Sequence, residues 1–307
     1  MTRFIYIVLA FTAAAALLFC PHIAGAAVTD ALRFCAYTLI PSLFPFFVLS
    51  GILTSCGIGD LFGKLFGRAF ERLFRVHGSG AAAFFIGAIC GFPGGAKTAC
   101  ELWENSKKNG YGCTASDAEN MLAFCCNCGP AYLILGVGSA LFGSAAVGVK
   151  LWVAQLVSAV LTGILLRGKR EETRQSGHPL LNLKTDVPID TPVSALREAC
   201  TATTLICGTV MFFSVICRFA SILLAPLPDA VRCTVMSFIE MTSGIRCTAE
   251  CLPYRQALAV CGFACGWSGL SVHAQTSAVT FGKLRLGKYI LGKLLCGVFT
   301  AVIMLFI

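Results

Sequence analysis

The chain has 307 residues, of which 57% are hydrophobic and 13% charged, with a mean hydropathy of +0.79 and a formal net charge of +9. A soluble domain carries roughly 25% charged residues, so the composition excludes an ordinary soluble globule and predicts an all-α polytopic membrane protein. No basic surface interleaved with aromatics accompanies the cations. They are read as loop charge that sets orientation, and no nucleic-acid partner is expected.

A spanning helix needs about 20 apolar residues. Runs at 4–20, 34–54, 121–142, 149–167, 201–224, 257–281 and 289–307 predict about seven such spans. Residues 1–27 have the look of a secretory signal, with Arg3, an apolar run and Ala24-Gly25-Ala26. The run exceeds the roughly 7–15 residues of a signal core, so residues 1–33 are read as an uncleaved first span and an outer loop. Pro41 and Pro45 should kink the second span. From 61 to 76, apolar pairs alternate with Lys64, Arg68, Glu71, Arg72 and Arg75. That pattern is an amphipathic basic helix, suited to the cytoplasmic face of the lipid bilayer with its anionic headgroups.

Residues 81–103 read as membrane-buried except for Cys90-Gly-Phe-Pro-Gly-Gly-Ala-Lys97 and Glu101. Backbone that leaves the helix at membrane depth survives only where protein or a water-filled cavity surrounds it. The segment is therefore predicted to be a re-entrant helical hairpin. A polar loop follows, then a span interrupted at Asn127-Cys-Gly-Pro130, then a span ending at Arg167. The charged stretch 168–192 is a cytoplasmic linker between a first repeat, 34–167, and a second, 193–307, whose own hairpin is 232–251.

Charge decides between hairpins and full crossings. With both segments re-entrant and the N-terminus inside, only Arg33, Lys150, Arg232 and Arg255 lie outside. With both crossing, the cations of the 104–117 and 167–197 loops move outside, against the positive-inside tendency. Each hairpin arm of about eleven residues reaches about 16 Å, roughly half the hydrocarbon thickness, which puts the tips near the midplane.

The two halves show one order of features. Thr38-Leu-Ile40 and Phe46-Phe47 match Thr204-Leu-Ile206 and Phe212-Phe213; Gly95-Ala-Lys97 and Glu101 match Gly244-Ile-Arg246 and Glu250. Leu122-Ala123 through Cys128-Gly129 matches Leu258-Ala259 through Cys265-Gly266 with one insertion, and Gln155 and Thr162 correspond to Lys293 and Thr300. Because the halves start on opposite sides, they are read as inverted repeats, an arrangement of secondary transporters with the site at the repeat interface.

Lys97 and Arg246 are expected just beyond the two tips. They would either converge on an anionic solute, helped by half-helix N-termini, or pair with Glu101 and Glu250 at i+4. Pro93, Gly94 and Gly95 are turn-formers whose amides could meet solute. Asn127 would line a cavity or bond a neighbouring helix. Thr242, Ser243, Ser268, Ser271 and Gln275 form the polar set of the second half; Glu240 could serve a coupling cation, and His273 a coupled proton or packing. The eighteen cysteines follow neither a secreted disulfide pattern nor a paired zinc spacing. Cys125, Cys126 and Cys128 are explained by helix packing, and no metal, cofactor or enzymatic centre is expected.

The segments Cys90 to Lys97, Leu122-Ala-Phe-Cys-Cys-Asn-Cys-Gly-Pro130 and Ile239-Glu-Met-Thr-Ser-Gly244 resemble the nucleoside-recognition, or Gate, family, in particular the sporulation integral membrane proteins of the YlbJ type. Cys261-Gly-Phe-Ala-Cys-Gly-Trp-Ser-Gly-Leu270 is more distantly similar to the broken helix of concentrative nucleoside transporters. The resemblance implies a role in endospore formation at the cell membrane or the membrane around the forespore, and dipicolinic acid as the solute. The function expected is a transporter or facilitated pathway for a small anionic solute. A nucleoside or metabolite carrier and a non-transporting scaffold or receptor of spore-envelope assembly are the alternatives. A coupling cation and an oligomeric assembly are compatible with the pattern.

Overall fold

The protein was analysed as a computed structural model that describes residues 14, 17–109, 112–168, 191–280 and 282–307. Among these, every regular element is a helix. Most of the expected first span and of the 168–192 linker lies outside the described residues.

Helix α1 (Pro21–Phe34) runs through a π-wound turn, Cys35–Leu39, into α2 (Ile40–Ser55). Residues 21–33, expected to form an outer loop, are therefore helical. Pro21 starts the helix where no N–H is needed, and the buried stripe Ala24, Ala27 and Ala31 lets α1 approach a later helix, α9 (Thr191–Leu223). Beside Pro41, which has no N–H to give, the Ser42 hydroxyl donates to the carbonyls of Thr38 at 2.6 Å and Leu39 at 3.1 Å.

The basic amphipathic helix is α3 (Ile58–Phe74). Phe70 and Phe74 are buried against Phe84 and Phe124, while Leu61, Leu65 and Leu73 lie exposed among its cations. Next come α4 (Gly80–Cys90) and α5 (Gly94–Asn109), the arms of a hairpin. The interrupted span is α6 (Ala115–Cys125) and α7 (Ala131–Phe142), the latter largely π-wound, and α8 (Ala145–Leu165) closes the first half.

The second half repeats this order without an equivalent of α3. After α9 come the hairpin arms α10 (Asp229–Ile239) and α11 (Met241–Cys251). A broken helix, α12 (Tyr254–Trp267) and α13 (Gly269–Thr280), and a last long helix, α14 (Gly287–Phe306), complete it. Five helical stretches among the described residues are long and apolar enough to cross a membrane: Pro21–Leu53, Ala145–Leu165, Thr191–Leu223, Tyr254–Thr280 and Gly287–Phe306. The expected span 121–142 is not one of them, because its break at Cys126–Pro130 leaves two short half-helices.

Both hairpins cross at glycine. A Cβ on Gly87 or Gly95 would fall 1.9 or 2.1 Å from the Cys125 carbonyl oxygen, and one on Gly244 would fall 2.2 Å from Ser237 Cα. Gly95 and Gly244, paired by the sequence comparison, thus do the same work. Gly95→Ala is expected to lower stability by about 1–3 kcal/mol through overpacking, read as a fall in thermal midpoint. Gly208→Ala, with nothing within 4 Å of the added carbon, should leave the midpoint unchanged or higher.

Candidate functional site

The two hairpin tips meet at one small pocket of about 50 Å³, whose walls include Gly91, Phe92, Tyr132, Glu240, Thr242 and Gln275. Tip one turns at Gly91, whose φ of +75° suits a residue without Cβ. A side chain there would also strike the Gly129 amide 2.7 Å away, so this tip rests on the α6–α7 break. Tip two is Glu240. Its buried carboxylate caps α11, accepting from Thr242 N at 3.0 Å, Ser243 N at 2.6 Å and Thr242 Oγ1 at 2.6 Å. Ser271 Oγ adds a longer contact at 3.4 Å. An anion at a helix N-terminus satisfies two amides that no helical carbonyl can reach.

A second cavity, about 350 Å³, adjoins the tip pocket, sharing Val210 and Thr242 with it. Arg218, Arg232 and Arg246 line it with only Asp30 and Glu250 as acids, and Ser214 and Ser243 add hydroxyls. Arg218 is held by Asp30 at 2.6 Å and Arg232 by Asp229 at 2.6 Å. Arg246 is the least tied: its Nε lies 3.9 Å from Glu250, beyond hydrogen-bond length, and its guanidinium sits 5.8 Å from the Phe34 ring centroid.

Thr242, Ser243 and Arg246 are therefore brought together, with Glu240 one step deeper. Lys97 does not join them. Its ammonium contacts Glu198 at 2.9 Å and Glu101 at 3.9 Å on a half-exposed surface, and neither cavity contains it. The expected convergence of Lys97 and Arg246 on one cavity is absent here. The tips meet, but each cation lies beyond its tip, and α9 takes Lys97 through Glu198.

Of the remaining expected residues, Pro93, Gly94, Ser268 and Asn127 bond backbone groups, and His273 packs among side chains. Gly94 N–H donates to Gly91 O at 2.8 Å and Pro93 O accepts from Lys97 N at 3.0 Å, closing the first turn of α5. Ser268, buried at φ +77°, ends α12 and donates to Cys265 O at 3.3 Å. Asn127 is buried, donating to Phe124 O at 3.0 Å, and its Oδ1 has no partner. His273 Nδ1 meets the Tyr289 hydroxyl at 2.8 Å, its ring is edge-on to Trp267, and its Nε2 is unpartnered.

Sequence reasoning missed the residues that close the breaks. Gln155 of α8 donates to Cys265 O at 3.2 Å, and Lys293 of α14 donates to Cys126 O at 2.6 Å. Each half thus caps the broken helix of the other. Trp152 Nε1 donates to Ala88 O at 3.2 Å and Trp267 Nε1 to Phe238 O at 2.9 Å, near the ends of α4 and α10. The cysteine reading also needs correction: Cys233 and Cys247 form a disulfide joining α10 to α11, with Cα atoms 5.6 Å apart, and the Cys251 sulfur lies within 4.8 Å of both. One pair 14 residues apart among eighteen cysteines carries no spacing signal.

Glu240→Ala should cost about 1–2 kcal/mol by removing a helix cap, and should speed amide exchange at Thr242 and Ser243 before the rest of α11.

The profile for nucleoside recognition (Gate) matches residues 36–228, from α2 through the first hairpin and broken helix to the end of α9. The chain is also 25% identical over 306 residues to the sporulation integral membrane protein YlbJ of Bacillus subtilis (strain 168), covering 86% of this chain and 72% of that protein. No solved structure gives a significant match. The chain belongs to the nucleoside-recognition (Gate) family and is a multi-pass membrane protein similar to YlbJ.

Proposed function

We propose that this protein is a carrier, or a facilitated pathway, for a small anionic solute, built from two inverted repeats with re-entrant hairpins. The observation that carries this reading is the cavity lined by Arg218, Arg232 and Arg246, which shares Val210 and Thr242 with the pocket at the hairpin tips. Arginine binds carboxylates bidentately, and Arg246 is the one of the three not held at hydrogen-bond distance by an acid.

Cross-segment contacts support the topology. Lys283 meets Glu104 at 2.5 Å, Arg285 N meets Glu119 at 3.0 Å, and Lys288 meets Asn120 at 2.5 Å. These ends share one side only if residues 232–251 enter and return, because a full crossing there would put 104–117 opposite 283–288. Likewise Lys150–Ile307 and Phe142–Tyr254 each join two positions that the re-entrant reading places outside. Positions 34–167 and 193–307 then form halves of opposite orientation. Rocking of one half against the other would expose the tip pocket alternately to either side, with Glu240 or His273 available for a coupled cation or proton.

Dipicolinate, implied by the resemblance to the sporulation proteins, is the first solute to test, with the cell membrane or the membrane around the forespore as the site of action. A nucleoside is the second, because the family name points to it. Uptake of radiolabelled dipicolinate into proteoliposomes above protein-free vesicles is expected. No excess with demonstrably folded protein would favour a scaffold role instead. Arg246→Gln should weaken dicarboxylate binding roughly tenfold, the scale of a hydrogen bond to a charged group, and a neutral analogue less than twofold. Equal losses would identify the Arg246–Glu250 contact as purely structural.

A further inference from the structure

Lys293 is the one buried lysine or arginine among the described residues, at 1% exposure. Its ammonium has two contacts, the Cys126 carbonyl at 2.6 Å and the Phe92 ring, whose centroid is 5.2 Å away. Among the described residues no carboxylate pairs with it. A lysine offers three donors, and one carbonyl takes one of them.

The other half of the molecule shows what capping alone requires. At the corresponding place Gln155, also fully buried, donates an amide hydrogen to Cys265 O. An uncharged amide therefore closes one break. Burying an ammonium for the same task adds a large desolvation penalty that capping does not recover, and ionisable groups retained inside membrane proteins mark solute or ion paths.

Position supplies the rest. Phe92 belongs to the tip of the first hairpin and lines the tip pocket, so one residue touches both the pocket and the ammonium. Cys296, one turn along α14 from Lys293, contacts the backbone oxygen of Gln155. Tyr289, one turn the other way, is bonded to His273.

We propose that Lys293 is an inner anion-binding residue, screened from the tip pocket by Phe92 in this conformation, and that displacement of the first hairpin tip brings its ammonium to a solute carboxylate or a similar small anion. The proposal rests on the anion-pathway reading above and adds a second cation to it. An anion held first at Arg246 would pass the tips and meet Lys293, with Phe92 as the gate between them. The Cys126 carbonyl keeps one N–H throughout, which leaves the other two for the anion.

The repeat provides the control substitution. Lys293→Gln copies Gln155 and should still cap Cys126, so its thermal midpoint should stay close to the parent's. Binding of benzoate and of pyridine-2,6-dicarboxylate to the full chain in nanodiscs should fall at least tenfold in Lys293→Gln and less than threefold in Lys293→Arg. Unchanged binding of both probes in Lys293→Gln would overturn the inner site. If Arg246→Gln still weakened binding, the anion-pathway reading would survive that result. Failure of the parent protein to bind either probe would sink both. A second measurement does not depend on a Lys293 variant: acylation of the Lys293 amine by a water-soluble ester, read by peptide mass spectrometry, should rise at least threefold in Phe92→Ala. The dicarboxylate should suppress that rise, and equal labelling with and without Phe92 would contradict the gate.

Discussion

The structure depends on how it satisfies backbone polar groups where helices stop inside an apolar interior. Two hairpin tips and two helix breaks lie deep in the chain, and each exposes amides or carbonyls that a continuous helix would have paired. Unpaired groups of this kind are expensive away from water. The solutions are specific: Glu240 takes the amides of α11, while Gln155 and Lys293 take Cys265 O and Cys126 O across the repeat boundary. Trp152 and Trp267 serve carbonyls near the hairpin ends. The halves are therefore joined by the bonds that make their interruptions tolerable, and the same interruptions form the pocket.

That arrangement links packing to the proposed transport. A continuous helix has no free donors or acceptors to offer a solute, whereas an interrupted one does, provided other groups hold it open. Glycine permits the close approach: Gly91 against Gly129 on one side, and Gly269 against the Met241 amide on the other. These contacts seat each tip on a break of its own half. Bonds across the halves, by contrast, come from side chains that can release and re-form.

Much of this was legible in the sequence. Glycine and proline inside apolar runs located the first tip and the first break, the repeat match located the second tip, the resemblance of Cys261–Leu270 pointed to the second break, and the basic periodicity located α3. The paired glycines 95 and 244 turned out to occupy equivalent crossings. Helix α1 was not legible, because Asp30 and Arg33 lower its hydropathy although Ala24, Ala27 and Ala31 give it a packing face. The sequence only paired Lys293 with Gln155 in the repeat; the fold shows it buried beside Cys126. The expected meeting of Lys97 and Arg246 came from pairing the repeats by rank order alone. Sequence order placed each cation beyond its tip, but not the third helix that would claim it, and Glu198 lies 101 residues from Lys97. The Cys233–Cys247 bond was hidden for the same reason, since connectivity among many cysteines does not follow from spacing.

The account stands or falls on whether both hairpins enter and return, because only then do the tips of opposite halves share a pocket. Single cysteines at positions 68, 107, 255 and 288, in a cysteine-depleted background reconstituted in one orientation, can be probed with a membrane-impermeant maleimide. Labelling of 68, 107 and 288 from one side and 255 from the other is the result predicted. Labelling of 68 and 107 from opposite sides would contradict the first hairpin, and labelling of 107 and 288 from opposite sides the second; either result contradicts the account.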